Sequence, residues 1–321
     1  MAAWTASVAA VLALTACGHD AAQPGQQRPP PEADDAAGLT WASFDPGMTV
    51  DALTLLAETG SAWRLVGVSN ADASRQHAAG ENAPFEPARL GSYLDPDLEA
   101  LAGLQPRLVL WPAEAGADVP AEVRGVLGDR TRFFTAPMPR RWQEVLDRAE
   151  QLAAAFAVED EDRFFDSKPV VTPDLTPFRI QAQAPAPAAT QPAVSKPGVL
   201  LAMRLRPLRV WSDGSVLHEL TAGAVDNLAA GFATPAPLLD DELLLELDPE
   251  VIVLVEAGSQ PDAAADVDRP GGGAEVVRLA GRTWPLVRVA DPQAFLVGLG
   301  TGEIASRVVT GVRQRLSTGG R

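Results

Sequence analysis

The stretch DLEALAGLQPRLVLW, Asp97 to Trp111, has the pattern of a short capped helix running directly into an apolar strand. Far downstream, DELLLELDPEVIVLV, Asp241 to Val255, repeats it. Glu99, Leu104, Pro106, Val109 and Leu110 align without a gap to Glu242, Leu247, Pro249, Ile252 and Val253, each 143 positions later. That distance is too long for a solenoid unit and predicts two similar domains.

The rest of the pattern divides the same way. LTWASF is a short apolar strand, followed by a turn at Asp45-Pro46-Gly47 and a helix with Val50, Leu53, Leu56 and Ala57 on one face, stopped by Gly60. WRLVGVS and RFFTAP are further strands, and Asp95 is expected to cap a helix with Pro96 at its first position. Residues 39–137 thus form an N-terminal α/β lobe. In RRWQEVLDRAEQLAAAF, Trp142, Val145, Leu146, Ala149, Leu152, Ala153 and Phe156 make one helical stripe, and with its acidic tail this predicts a long joining helix over residues 138–166. Residues 167–197 are rich in Pro and Ala, a composition that opposes helix and central strand alike, and read as an irregular insertion. A second lobe occupies 198–321, with strands at GVLLAM, VIVLV, EVVRLA and PLVRVA and a last helix from about Pro292 to Leu316. The expected fold is α/β: two Rossmann-like lobes with central sheets, joined by a single long helix.

Composition narrows the function. The 321 residues are 46% hydrophobic and 21% charged, an ordinary globular balance, and the net charge of −16 makes nucleic acid a poor partner. Residues 1–16 read as a signal segment whose apolar run, Val8 to Leu14, is too short to span a bilayer. It ends in LTAC, which resembles a bacterial lipobox. Cys17 is the only cysteine in the chain, so an internal disulfide is excluded and lipidation accounts for its position. MAAW, ahead of the apolar run, departs from the usual signal in having no Lys or Arg. Residues 17–38, rich in Pro, Gln and Ala, make a flexible tether to a membrane surface.

Together the lipobox, VGVS, LEALAGLQPRLVL, the long joining helix, TAGAVDNLAAG and ELLLELDPEVIVL resemble the helical-backbone class of substrate-binding proteins of ABC importers for vitamin B12, iron siderophores and haem. The resemblance covers Leu39 to Leu316 apart from the Pro-rich insertion. It implies a class III periplasmic-binding-protein-like fold, with a chelate or macrocycle held between the lobes. It also implies a monomer, lipid-anchored outside the cytoplasm, that delivers its ligand to an ABC permease and ATPase, with no cofactor of its own. In that family each lobe presents a glutamate to the permease, placed seven residues before the Pro that precedes the strand. Glu99 and Glu242 occupy those positions. Each is also an acidic residue in the first turn of a helix, where it favours helix initiation whether or not it docks.

A ligand in a two-lobed α/β protein lies beyond the strand ends. The loops expected there hold Trp41, Phe44, Tyr93 and Trp111 in the first lobe, and Arg204, Arg206, Trp211 and Glu256 in the second; Trp41, Tyr93, Trp111, Arg204 and Trp211 are the expected ligand contacts. Aromatic walls suit a flat macrocycle or aromatic chelate, and Arg204, Arg206 and Arg209 suit an anionic one, though solvated strand-end charges would look the same. His19, His77 and His218 are too few for a bare zinc or manganese site; Tyr93 with His77 or His218 could still ligate a haem iron. No enzyme signature competes. RPGGGAE lacks the Lys-Ser or Lys-Thr of a phosphate-binding loop, and there is no serine elbow, His pair or cysteine nucleophile. The alternative is a non-transporting surface lipoprotein that uses the same fold for interaction or sensing; a hydrolase ranks third.

Overall fold

Thr40–Ser43 (β1) is buried along its whole length, as a strand covered on both faces must be. The computed structural model describes residues 39–70, 86–113, 118–157, 174–182, 195–232, 234, 236–257, 267–268, 275–291 and 293–319. All of these fall in one compact unit, Gly38–Arg321. The expected signal segment and tether, with Cys17 and His19, and also His77, lie outside the described residues.

Asp45 ends the first β-to-α turn by accepting the Met48 amide at 2.8 Å, and Pro46 opens helix α1, Pro46–Thr59. Gly60, at φ 62°, closes it. The buried side of α1 is Met48, Val50, Asp51, Ala52 and Leu55, whereas Leu53 and Leu56 are half-buried and Ala57 is exposed. This differs from the expected stripe because the first turns of α1 are covered by the joining helix and the second lobe as well as by its own sheet.

Arg64–Val68 (β2) and Ala88–Arg89 (β3) follow, then a small hairpin of Gly91–Ser92 (β4) and Asp95–Pro96 (β5). The expected helix cap is shifted: Asp95 and Pro96 pair in this hairpin, and Asp97 caps α2, Leu98–Leu104, by accepting the Ala100 amide at 2.9 Å. Leu108–Pro112 (β6), a helix that the sequence pattern did not reveal, Ala121–Leu127 (α3), and Arg132–Ala136 (β7) complete the lobe. The sheet order is β3-β2-β1-β6-β7, parallel throughout.

Trp142–Ala157 (α4) is the joining helix, and Trp142, Val145, Leu146, Ala149, Leu152 and Phe156 form its buried stripe. Its expected extension beyond residue 157 lies outside the described residues. Within the Pro-rich segment, Thr176–Ala182 forms a helix, α5, that the composition argued against. Pro177 is tolerated because it stands in the first turn, where its missing N–H has no helical acceptor.

The second lobe contains Gly198–Leu205 (β8), Leu208–Val210 (β9), Val216–Thr221 (α6), Asp226–Asn227 (β10), Asp241–Leu247 (α7) and Val251–Glu256 (β11). Val267–Asp268 (β12), Val276–Leu279 (β13), Arg282–Ala290 (β14) and Thr301–Gly319 (α8) follow. The order is β10-β8-β11-β14-β13-β12, with β9 paired to β8; β10, β8, β11 and β14 are parallel and the others antiparallel. The last helix starts at Thr301, later than expected, so Phe295 and Leu299 precede it in a turn-rich segment containing Gly298 and Gly300.

The repeated phrases fold alike beyond the residues that revealed them. Asp97 and Asp240 are the N-caps, Leu101 and Leu244 the buried helix residues, and Gln105 and Asp248 the left-handed C-caps, at φ 42° and 38°. Each lobe packs a core on both sides of its sheet. The one on the α1/α4 side of the first lobe also takes in Val216 and Leu299 from the second.

Candidate functional site between the lobes

Strand order locates the site. Chain connections diverge between β1 and β6 in the first sheet and between β8 and β11 in the second, and such a reversal opens a crevice beyond the strand C-termini. The segments that follow β1 and β14 meet. Gly47, just past β1, is so close to the second lobe that an added Cβ would lie 3.1 Å from the Val297 carbonyl oxygen. The Leu299 amide donates to Asp51 Oδ1 at 2.8 Å.

At this junction Asp51, in α1, is fully buried and paired with Arg148 of α4 at 2.8 Å. Arg148 Nη2 also donates to the Val297 carbonyl at 2.5 Å. Burial pushes the Asp51 carboxyl up from its ordinary value of 3.8, while Arg148 and the Leu299 amide act against the rise.

The expected ligand contacts separate into two groups. Trp41 is fully buried, edge-on to Phe156 of the joining helix with ring centroids 5.5 Å apart. Trp111 is buried against Phe44, itself buried, at 4.6 Å. These three lie in the cores of this structure and not on an open crevice wall. The reason is that both strands are covered on both faces, so an aromatic on either is swallowed by a core. Glu256 is also nearly buried and is engaged by Arg288 at 2.8 Å, which binds Glu275 at 3.3 Å. Burial acts to lower the Arg288 value, but its bonds to the two carboxylates outweigh that and raise it. Glu256 is therefore ion-paired within its own lobe.

Tyr93 and Trp211 remain accessible. Tyr93 is half-buried at the turn of the β4–β5 hairpin, beside Leu94, which is 79% exposed. Gly91 holds that hairpin: its φ is 74°, and an added Cβ would come 2.4 Å from the Asp95 carbonyl oxygen. Trp211, half-buried just after β9, stacks on Phe295 with centroids 6.3 Å apart and planes at 29°. Phe295 is exposed, and the Trp211 indole N–H is buried without a hydrogen-bond partner.

Arg204 is exposed and lies opposite Arg209, also exposed, across β8 and β9. Neither has an ion-pair partner among the described residues. Side chains of cross-strand partners share a face, and alternation along β9 puts Trp211 on that face too, roughly 7 Å further on at two strand steps. Like charges facing each other are unfavourable by themselves, and no carboxylate among the described residues offsets them. Arg206 occupies the turn between these strands.

His218 lies in α6, 3.3 Å from the Asn227 amide nitrogen, which donates to the Trp211 carbonyl at 2.8 Å. Among the described residues no three His, Cys, Asp or Glu side chains gather as a metal site. No helix among them is long and apolar enough to cross a membrane. Glu99 and Glu242 are exposed, each the second residue of its seven-residue helix.

Sequence reasoning did not single out several accessible apolar residues, among them Leu94, Phe295, and Met138, which is 69% exposed just after β7. Leu94 and Met138 sit singly in loops with no periodicity, and the apolar pattern assigned Phe295 to the last helix. Nothing local marked Asp51 and Arg148 as partners, since they meet only in the folded chain.

No protein-family model matches the chain, and no curated protein sequence matches it. Solved structures do. Periplasmic heme-binding protein BhuT, in complex with two hemes, is 23% identical, with a TM-score of 0.58 over 87% of this chain and 98% of that one. The periplasmic heme-binding protein HutB of Vibrio cholerae is 19% identical, TM-score 0.56, covering 85% and 98% of the two chains. A TroA-like periplasmic binding protein from Xylanimonas cellulosilytica is 15% identical, TM-score 0.51, covering 86% and 89%. With its two sheets, joining helix and repeated helix–strand units, the chain has the two-lobed α/β fold of these periplasmic binding proteins.

Proposed function

We propose that this chain is a substrate-binding protein of an ABC importer. It binds a metal chelate or macrocycle between its lobes, of the haem, cobalamin or ferric siderophore type, and catalyses no reaction. The observation that carries this reading is the second-lobe rim, where β8 and β9 bring the exposed Arg204 and Arg209, without an ion-pair partner among the described residues, near the accessible Trp211–Phe295 stack. An aromatic stack offers a face to a flat conjugated ring, and guanidinium groups take carboxylate or catecholate oxygens. Tyr93 and Leu94 supply contacts from the first lobe. The heme-bound state of BhuT supports the ligand class. Cys17 carries the lipid that keeps the monomer at the membrane outside the cytoplasm, and Glu99 and Glu242 dock its lobes on the permease.

The test is a titration of haem, corrinoids and ferric siderophores against the chain starting at Leu39, followed by Trp fluorescence. One class quenches the emission. Trp211→Ala weakens that ligand by about 1–3 kcal/mol, or roughly 5- to 150-fold, the scale of a well-packed aromatic contact. Absence of binding by every member overturns the ligand class.

Docking is tested separately. Because a first-turn carboxylate contributes only about 0.3–1 kcal/mol to its helix, the double change Glu99→Ala with Glu242→Ala leaves folding and ligand affinity nearly intact. Uptake by cells carrying the variant falls sharply. Normal uptake would reduce both glutamates to helix starters.

A further inference from the structure

Three parts of the chain converge on one buried carboxylate. Asp51 comes from α1 of the first lobe, Arg148 from the joining helix, and the Val297 carbonyl and Leu299 amide from the segment that leads into α8 of the second lobe. Asp51 is 0% and Arg148 5% exposed at the side chain. Nothing in the proposed ligand or docking contacts uses them.

The bonds are directional and leave little play. One carboxylate oxygen takes the guanidinium at 2.8 Å and the other takes the Leu299 amide at 2.8 Å, while the same guanidinium nitrogen reaches Val297. Gly298, between those two residues, lies so close that an added Cβ would stand 2.5 Å from Asp51 Oδ1. Apolar packing of Val216 and Leu299 against the first-lobe core would tolerate sliding; a charge-assisted bond in a dry site does not. The segment pinned this way also carries Phe295, four residues before Leu299, and so places the second-lobe rim relative to the first.

We infer that Asp51 and Arg148 are positioning residues that pin the second lobe to the first and thereby set the width of the crevice. Replacing a buried ion pair by apolar residues of similar volume can leave stability unchanged while removing its directionality. Lobe orientation and stability therefore separate in the right variant. The inference concerns the crevice whatever fills it, and so stands or falls apart from the ligand reading.

Spin labels at Glu122→Cys on α3 and Glu246→Cys on α7, both exposed positions, in the full chain with Cys17→Ala, report the distance between lobes. The parent chain gives one narrow distribution. Asp51→Leu combined with Arg148→Met keeps a cooperative melting transition but broadens or shifts the distribution beyond the parent width. Gly298→Ala keeps both charges and also shifts it, because the new methyl group would stand 2.5 Å from Asp51 Oδ1, so the carboxylate and the 297–299 segment must part. Parent-like distributions in both folded variants overturn the inference. A Leu299 amide in the parent chain that exchanges hydrogen as fast as an exposed loop amide overturns it regardless of how the variants fold.

Discussion

Trp41→Ala lowers the stability of the folded chain by about 3–5 kcal/mol, the scale for truncating a large core aromatic, and leaves ligand affinity of the folded fraction nearly unchanged. Trp41 lies on β1 with no exposed surface. Its ring meets the edge of Phe156, which also packs edge-on with Trp63 at 5.1 Å. The Trp63 indole donates to the Phe156 carbonyl at 2.9 Å, so the three aromatics fasten the joining helix to β1 and β2. Deleting one leaves a cavity that two rigid neighbours cannot fill. Urea unfolding supplies the stability and the fluorescence titration the affinity. A variant that unfolds like the parent but loses its ligand would return Trp41 to the crevice wall.

That contrast shows what a sequence pattern carries. The helix–strand repeat was legible because its signals are local: an acidic first turn, an apolar helix face, then an unbroken apolar run. The long stripe from Trp142 to Phe156 identified the joining helix for the same reason. Tertiary facts were less accessible. A tryptophan near a strand end fits both a core and a ligand wall, and only burial distinguished Trp41 and Trp111 from Trp211. Phe295 fits a helical stripe by spacing, yet Thr301 begins the helix. The β4–β5 hairpin moved the helix cap by two residues because pairing of Asp95 and Pro96 depends on Gly91 and Ser92. The Asp51–Arg148 pair spans 97 positions and three elements, so no window short enough to show periodicity contains it.

Arg148→Met alone destabilises the chain by about 3–5 kcal/mol near neutral pH, because it leaves the Asp51 carboxylate in a dry site without its counter-charge. The double change with Asp51→Leu recovers most of that loss, which gives the pair a large coupling in a double-mutant cycle. The pH dependence identifies the cause. Burial already pushes Asp51 above its ordinary 3.8 and Arg148 opposes the rise, so removing Arg148 raises the folded-state value further. A carboxyl whose folded value exceeds its unfolded one binds its proton more tightly in the folded chain. Its contribution to stability is fully present below the unfolded value and is lost as pH rises through the folded value. The deficit of Arg148→Met relative to the parent is therefore largest at neutral pH and shrinks as the solution is acidified toward 3.8. Loss of the packing made by the arginine stem would give a deficit with no such dependence. Urea midpoints for the parent and the variant across that pH range distinguish the two, and a constant difference would show that Arg148 acts there through its bulk and not its charge.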